Sequence, residues 1–374
     1  MFFDYKVRNF NIRLLLYVVA LNVIGILVIN SASNGDVSYM NRQIIGAIFG
    51  IFVAIVLGLA DYHQLLKLHG LIYLGSFILL AAVLLVGDSG GGARRWVELP
   101  GIGRFQPSEF AKIGMVMFFA WYWDKYQEKI NRPLVLGSGI LFFALLLGLI
   151  LAEPDLSTSL ICVFMFVCLV YTAGISYRWI LGTIAALIPL AAGFIYLLQY
   201  NMVPFLHGYQ ANRILAWLSN DSAQFADANR QQENSMMAIG SGLLEGKGLN
   251  NNTWASVKDG NFLSEEHTDF IFAVLGEELG FRGCVLVIAL YALIVFECIL
   301  LAQRSRDLAG RLICVGIASL LCFQAFTNIA VATGLFPNTG LPLPFISYGV
   351  SSLFSLYAGI GLVLNVGLQR KITN

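Results

Sequence analysis

Leu134-Val135-Leu136-Gly137-Ser138-Gly139-Ile140-Leu141-Phe142-Phe143-Ala144-Leu145-Leu146-Leu147-Gly148-Leu149-Ile150-Leu151-Ala152 carries no charged side chain from end to end, then stops at Glu153-Pro154-Asp155. Its length matches the roughly 20 apolar residues that an α-helix needs to cross a bilayer core. Strands of a membrane barrel would alternate over shorter stretches. Similar runs recur along a chain that is 58% hydrophobic and only 12% charged. With 374 residues and a mean hydropathy of +0.75, no soluble class fits. The fold expected is all-α, a polytopic membrane protein of about ten transmembrane helices. They are placed at roughly 13–33, 43–60, 70–87, 107–123, 134–152, 156–175, 179–200, 269–302, 311–333 and 345–367. Residues 1–374 read as one integral membrane domain. Residues 201–268 form a large extracellular loop within it, between spans seven and eight.

The net charge of +1 hides an asymmetry. Most Lys and Arg of the short loops fall on one side of these spans. The other side holds only Arg42, Arg94, Arg95 and Arg104. By the positive-inside bias both termini are cytoplasmic, and loops 88–106 and 201–268 face outward. The start, Met1-Phe2-Phe3-Asp4-Tyr5-Lys6, does not read as a cleavable signal, because the apolar stretch after it is too long. All six cysteines lie in apolar runs without metal-ligand spacing, as small packing residues would. In loop 201–268, Ile214, Leu215, Trp217 and Leu218 beside Arg213 suit an amphipathic piece in the headgroup layer. Met236-Met237-Ala238-Ile239 forms a second apolar patch ahead of glycine-rich sequence.

Charges within apolar spans narrow the function. A charge at mid-membrane costs about 2.5–3.5 kcal/mol on insertion scales, so it pairs or lines a wet cavity. Glu109 and Lys112 share a helix face, either as a structural ion pair or as part of a substrate cavity. Asp155, after Pro154, reads first as an N-cap for the next span. Gly90-Gly91-Gly92-Ala93-Arg94-Arg95-Trp96 combines close backbone approach with two arginines that can grip phosphate oxygens in forked bonds. Trp96 would also suit the interface as a simple anchor. Asp269, at the lip of the eighth span, meets both polar substrate and low dielectric, where partial desolvation tunes a general base. Taken alone, an acid at a helix start is favoured by the dipole anyway. Glu278 has Arg282 four residues on, whereas Glu277 has no such local partner and is expected on the face of Asp269. Packing is the expected role for Ser347, Ser351 and Ser352 near the start of the tenth span.

The chain resembles the SEDS family (RodA, FtsW, SpoVE) over nearly its full length. The likeness rests on Arg95-Trp96 with Gln106-Pro107-Ser108-Glu109-Phe110-Ala111-Lys112, on Pro154-Asp155-Leu156, and on Tyr209-Gln210 with Arg213. It extends through Ala238-Ile239-Gly240-Ser241-Gly242 with Gly246-Lys247-Gly248-Leu249, and through Glu265 to Phe272 with Gly276-Glu277-Glu278-Leu279-Gly280. Pro337-Asn338-Thr339-Gly340 with Leu343-Pro344-Phe345-Ile346-Ser347-Tyr348-Gly349 completes it. Departures are Val350 for a second glycine, Ser264 for proline, and Glu153 and Ser157 where Gln and Gly are common. The short start looks more RodA-like than FtsW-like.

The resemblance implies a peptidoglycan glycosyltransferase that polymerises lipid II at the outer face of the bacterial cytoplasmic membrane. It implies a class B penicillin-binding protein transpeptidase as partner, within an elongation or division complex, and no nucleic acid. Asp269 is the expected catalytic base. Arg94, Arg95, Trp96, Glu109, Lys112, Asp155, Arg213, Lys247, Glu265, His267, Glu277 and Ser347 are the expected substrate-binding set. Positive charge on the pyrophosphate would come from the basic residues or from a divalent cation, Mg or Mn. A lipid II flippase and a membrane scaffold for cell-wall enzymes are the competing classes. Against the first, no internal repeat is evident.

Overall fold

The computed structural model describes residues 10–33, 36–90, 93–99, 103–199, 217, 226–250, 263 and 266–369. Its helices are α1 (Ile12–Ala32), α2 (Val37–Leu59), the short α3 (Tyr62–Lys67), α4 (His69–Val86), α5 (Pro107–Lys125) and α6 (Pro133–Ala152). They continue with α7 (Leu156–Thr172), α8 (Tyr177–Gln199), α9 (Ala226–Ser241), α10 (Ile271–Gln303), α11 (Leu308–Ala332) and α12 (Val350–Leu368). Every expected span contains one long helix. Among the described residues, seven helices are long and apolar enough to cross a membrane. The protein is a multi-pass, mostly helical membrane protein.

α11 and α12 form the centre: 72% and 78% of their most apolar stretches are buried, against 17% for α4. Exposed apolar faces such as Leu71, Leu74 and Ile78 on α4 suit contact with lipid tails. Close packing at the centre depends on small residues. A Cβ on Gly361 of α12 would stand 2.8 Å from the carbonyl oxygen of Ala54 on α2, so a larger residue would push these helices apart. α5 also belongs to the interior, although it carries Glu109 and Lys112, because those charges are paired there (below).

The structure departs from the expected layout in three places. First, the loop after α4 is a small antiparallel sheet, in the order β1 (Asp88–Gly90), β2 (Ala93–Leu99), β3 (Gly103–Phe105). Trp96 pairs with Asp88, and Leu99 with Gly103. Second, α10 is broken at Gly280, whose φ of 63° and ψ of −166° are non-helical. Residues 243–248 lie along the break. Phe281 N–H donates to Leu243 O at 2.8 Å, Lys247 N–H to Glu277 O at 2.9 Å, and Gly248 N–H to Glu278 O at 3.0 Å. Backbone freed from the helix is thus satisfied by protein, as irregular chain at membrane depth requires. Third, residues 345–349 precede α12 rather than belonging to it.

α9 packs on the end of α11. Gln232 Nε2 donates to Val331 O at 2.8 Å and Phe336 O at 2.6 Å, and Ser235 Oγ donates to Ala332 O at 2.8 Å. Ala238 is buried there, while Met236 and Met237 are exposed. Of the amphipathic piece expected around Arg213, only Trp217 falls among the described residues, its Nε1 donating to Gly334 O at 3.3 Å.

Candidate active site

Asp269 occupies a turn, residues 266–270, just ahead of α10. The expected helical stripe from Asp269 to Glu277 is therefore not formed, because Asp269 lies outside the helix. The turn is pinned through main-chain atoms. Asn328 Nδ2 donates to Asp269 O at 2.8 Å and also to Leu341 O at 2.6 Å. Ser347 Oγ donates to Thr268 O at 2.6 Å, and Tyr348 N–H to His267 O at 2.9 Å. The His267 ring lies 4.7 Å from that of Tyr39. Phe270 and Ile271 are buried behind the turn, while Asp269 itself is half-buried.

The proline-rich loop 336–349 is the frame for this turn. Gly340 has φ of 70°, and a Cβ built there would stand 3.2 Å from Oδ2 of Asp269, so the loop backbone runs past the carboxylate. Four of its other carbonyls are each held by a different helix. Ser157 Oγ of α7 donates to Thr339 O at 2.6 Å, Gln324 Nε2 of α11 to Pro342 O at 3.0 Å, and Asn22 Nδ2 of α1 to Phe345 O at 3.2 Å. Tyr291 OH of α10 donates to Pro344 O. Phe345 sits at φ of 64°, a left-handed conformation that costs a non-glycine residue of order 1–3 kcal/mol and persists only under such restraint.

Beside this frame lies the α6–α7 hairpin. Asp155 caps α7, accepting from Thr158 N–H at 3.0 Å and Thr158 Oγ1 at 2.9 Å, and stands 4.0 Å from Arg95 Nη1. Arg95, from β2, donates through Nε to Glu153 O at 3.2 Å and through Nη2 to Pro154 O. Glu153 is fully buried, and neither carboxylate oxygen has a hydrogen-bond partner. Burial raises its pKa to about 8, helped by the charge of Asp155 and opposed by Arg95.

Deeper in, Lys112 Nζ donates to Glu109 Oε1 at 2.8 Å and Gln324 Oε1 at 3.1 Å, with both charged groups buried. Ser352 and Ser355 of α12 donate to Glu109 Oε2 at 3.1 and 3.3 Å. Those serines thus bond the ion pair; with the bonds of Ser347 to Thr268 O and Leu343 N–H, this corrects the expectation of mere packing for Ser347 and Ser352. Glu277 pairs with Lys247 at 2.6 Å, a partner that local spacing could not reveal. Glu278 bonds Ser31 Oγ, and Arg282 instead meets Glu245 at 3.1 Å, because the break at Gly280 destroys the helical spacing between Glu278 and Arg282. Arg94 lies in β2 opposite Ser89, and Trp96 is half-buried. Arg213 and Glu265 lie outside the described residues.

The family model for cell cycle proteins of the FtsW, RodA and SpoVE group matches residues 12–372. The chain belongs to this family. A protein of Geobacter metallireducens named probable peptidoglycan glycosyltransferase FtsW is 35% identical over 98% of this chain and 97% of its own length. Peptidoglycan glycosyltransferase MrdB of Escherichia coli K12 is also 35% identical, over 96% of this chain and 94% of its own. Among solved structures, RodA of Thermus thermophilus matches with a TM-score of 0.70 at 29% identity, covering 96% of this chain and 97% of that one. A chain from a study of polymerization and crosslinking by a peptidoglycan synthase complex matches with a TM-score of 0.78 at 31% identity. That match covers 96% of this chain and 97% of its counterpart.

In this FtsW/RodA/SpoVE chain the residues that sequence reasoning missed are amides and hydroxyls: Asn328, Gln324, Asn22, Gln43, Tyr291 and Ser157. Gln43 Nε2, for instance, donates to Ser347 O at 3.2 Å. Isolated amides in apolar runs were the available signal, since a buried amide needs partners as a buried charge does.

Proposed function

We propose that this family member is a peptidoglycan glycosyltransferase that polymerises lipid II into glycan strands, by single displacement with inversion at the sugar carbon. The observation that carries the reading is the position of Asp269: a carboxylate at the start of a membrane helix, in a turn held by its main chain and faced by the backbone of Gly340. Asp269 takes the proton from the acceptor's GlcNAc 4-hydroxyl as that oxygen attacks the donor's MurNAc anomeric carbon. A positioned base contributes about 10²–10⁴-fold. The bond from that carbon to the pyrophosphate oxygen breaks, and the lipid pyrophosphate leaves as an anion with no acid needed. A single carboxylate and no covalent intermediate suit the inverting course.

Arg94 and Arg95 on β2, with Arg213, are the cations we assign to the pyrophosphate, Arg95 acting from its seat on the hairpin carbonyls. Trp96 and His267 would flank the sugars, with Ser347 holding the turn of Asp269 and Glu265 a further substrate-binding residue. Glu109–Lys112 and Lys247–Glu277 serve binding by fixing the helices and the 243–248 strap. Asp155 does so by holding the hairpin that Arg95 touches. Among the described residues no three His, Cys, Asp or Glu side chains stand together as a metal site. The site faces outward with both termini cytoplasmic, as the Lys and Arg bias supports. A class B penicillin-binding protein is the proposed partner, which would crosslink the product in an elongation or division complex.

The test is gel analysis of purified lipid II incubated with the protein, with and without the partner and a chelator. Parent protein yields a polymer ladder and Asp269→Ala none, with folding unchanged. A full ladder from that variant removes Asp269 from the mechanism. Labelled lipid II crossing vesicle bilayers without polymer would instead support the flippase reading.

A further inference from the structure

The α6–α7 hairpin contains an acid that the mechanism above does not use. Glu153 follows the last residue of α6, is 0% exposed, and has no hydrogen-bond partner for either carboxylate oxygen. The charged groups acting on it are Asp155, two residues on, and Arg95 from β2. Arg95 does not neutralise it. Its Nε and Nη2 donate to the main-chain carbonyls of Glu153 and Pro154, and its Nη1 stands 4.0 Å from Asp155 Oδ1. Asp155 is already bound to Thr158 and to Gln106 Nε2 at 3.4 Å. An unpaired carboxylate in such a place, beside a second one, is strongly disfavoured as an anion.

We propose that Glu153 is a positioning residue that acts as a neutral acid, keeping Arg95 turned onto the hairpin carbonyls, and that its ionisation draws Arg95 away and switches polymerisation off. The consequence reaches the reacting centre by a short path. Ser157, on the same hairpin, holds Thr339 O at 2.6 Å, and the next residue, Gly340, runs beside the Asp269 carboxylate. Ionisation releases one proton to water and forms no covalent bond. It leaves two anions competing for one guanidinium, which must abandon the carbonyls that define the hairpin. Burial sets the pH at which this happens: the pKa is raised to about 8 from an ordinary 4.5.

The proposal rests on the polymerase reading, and its test has one arm that does not. In the activity arm, lipid II polymerisation by the parent and by Glu153→Gln is followed from about pH 6 to about pH 10. The parent should lose activity above about pH 8, approaching tenfold per pH unit, while the glutamine variant matches it at neutral pH and lacks that limb. The same alkaline limb in both proteins, or a variant inactive at every pH, overturns the proposal. In the stability arm, melting temperatures of the two are compared over the same range and down to about pH 4. A raised folded pKa means that the folded state holds the proton longer than the unfolded state. The stability of the parent relative to the variant is therefore highest below pH 4.5, falls as pH rises, and levels off above about 8. A pH-independent difference overturns the proposal even if no polymer forms at any pH, a result that would instead sink the polymerase reading.

Discussion

Glu109 and Asp269 are both acids of the membrane-embedded part of the chain, and they are held in opposite ways. Glu109 is fixed through its side chain: Lys112, Ser352 and Ser355 all bond its carboxylate. The turn bearing Asp269 is fixed through its backbone, by Asn328, Ser347 and the amide of Tyr348. Restraint on the carboxylate makes a strut. Restraint on the peptide fixes where the carboxylate stands. Preorganised groups of the second kind are what chemistry requires, since the restraint is in place before substrate arrives.

Four changes would break or sharpen this contrast. The largest effect is expected for Asp269→Asn. Polymerisation, read from gel ladders, should fall about 10²–10⁴-fold, with the melting temperature nearly unchanged. Comparable loss of stability would show that the carboxylate is a strut after all. Lys112→Met should do the reverse, costing about 3–5 kcal/mol by stranding buried Glu109 without its cation. Thermal unfolding in detergent measures this, and the double variant Glu109→Gln/Lys112→Met should recover much of the loss.

Asn328→Leu comes next. It leaves Asp269 O and Leu341 O without their shared donor, at about 1–3 kcal/mol of stability. It should also lower turnover more than substrate affinity, because the base is misplaced rather than removed; unchanged turnover would contradict positioning through the backbone. The smallest effect belongs to Arg282→Gln. Its pairing with Glu245 is solvent-exposed on both sides and should be worth no more than about 1 kcal/mol by unfolding.

Much of the architecture is legible in the sequence. Span positions held within a few residues, as did the Glu109–Lys112 pair and the capping by Asp155, because each depends on neighbours along one helix. The small sheet of residues 88–105 was not anticipated, since its short strands have little apolar alternation to announce them. The partner of Glu278 differs from the one its spacing offers for a related reason. Spacing arguments assume an unbroken helix, and Gly280 breaks this one only because residues 243–248 supply the replacement hydrogen bonds.

A membrane span must close its own backbone hydrogen bonds in lipid, so its existence is a local property and can be read from one stretch of residues. The same holds for where charges interrupt the apolar runs, and hence for Asp269 as a candidate. Which group each buried polar atom meets is not local. Lys247 reaches Glu277, Ser31 reaches Glu278, and Asn22 reaches Phe345 across most of the chain. Those pairings exist only once the helices are packed, because a buried donor or acceptor takes the partner that the finished interior brings within reach.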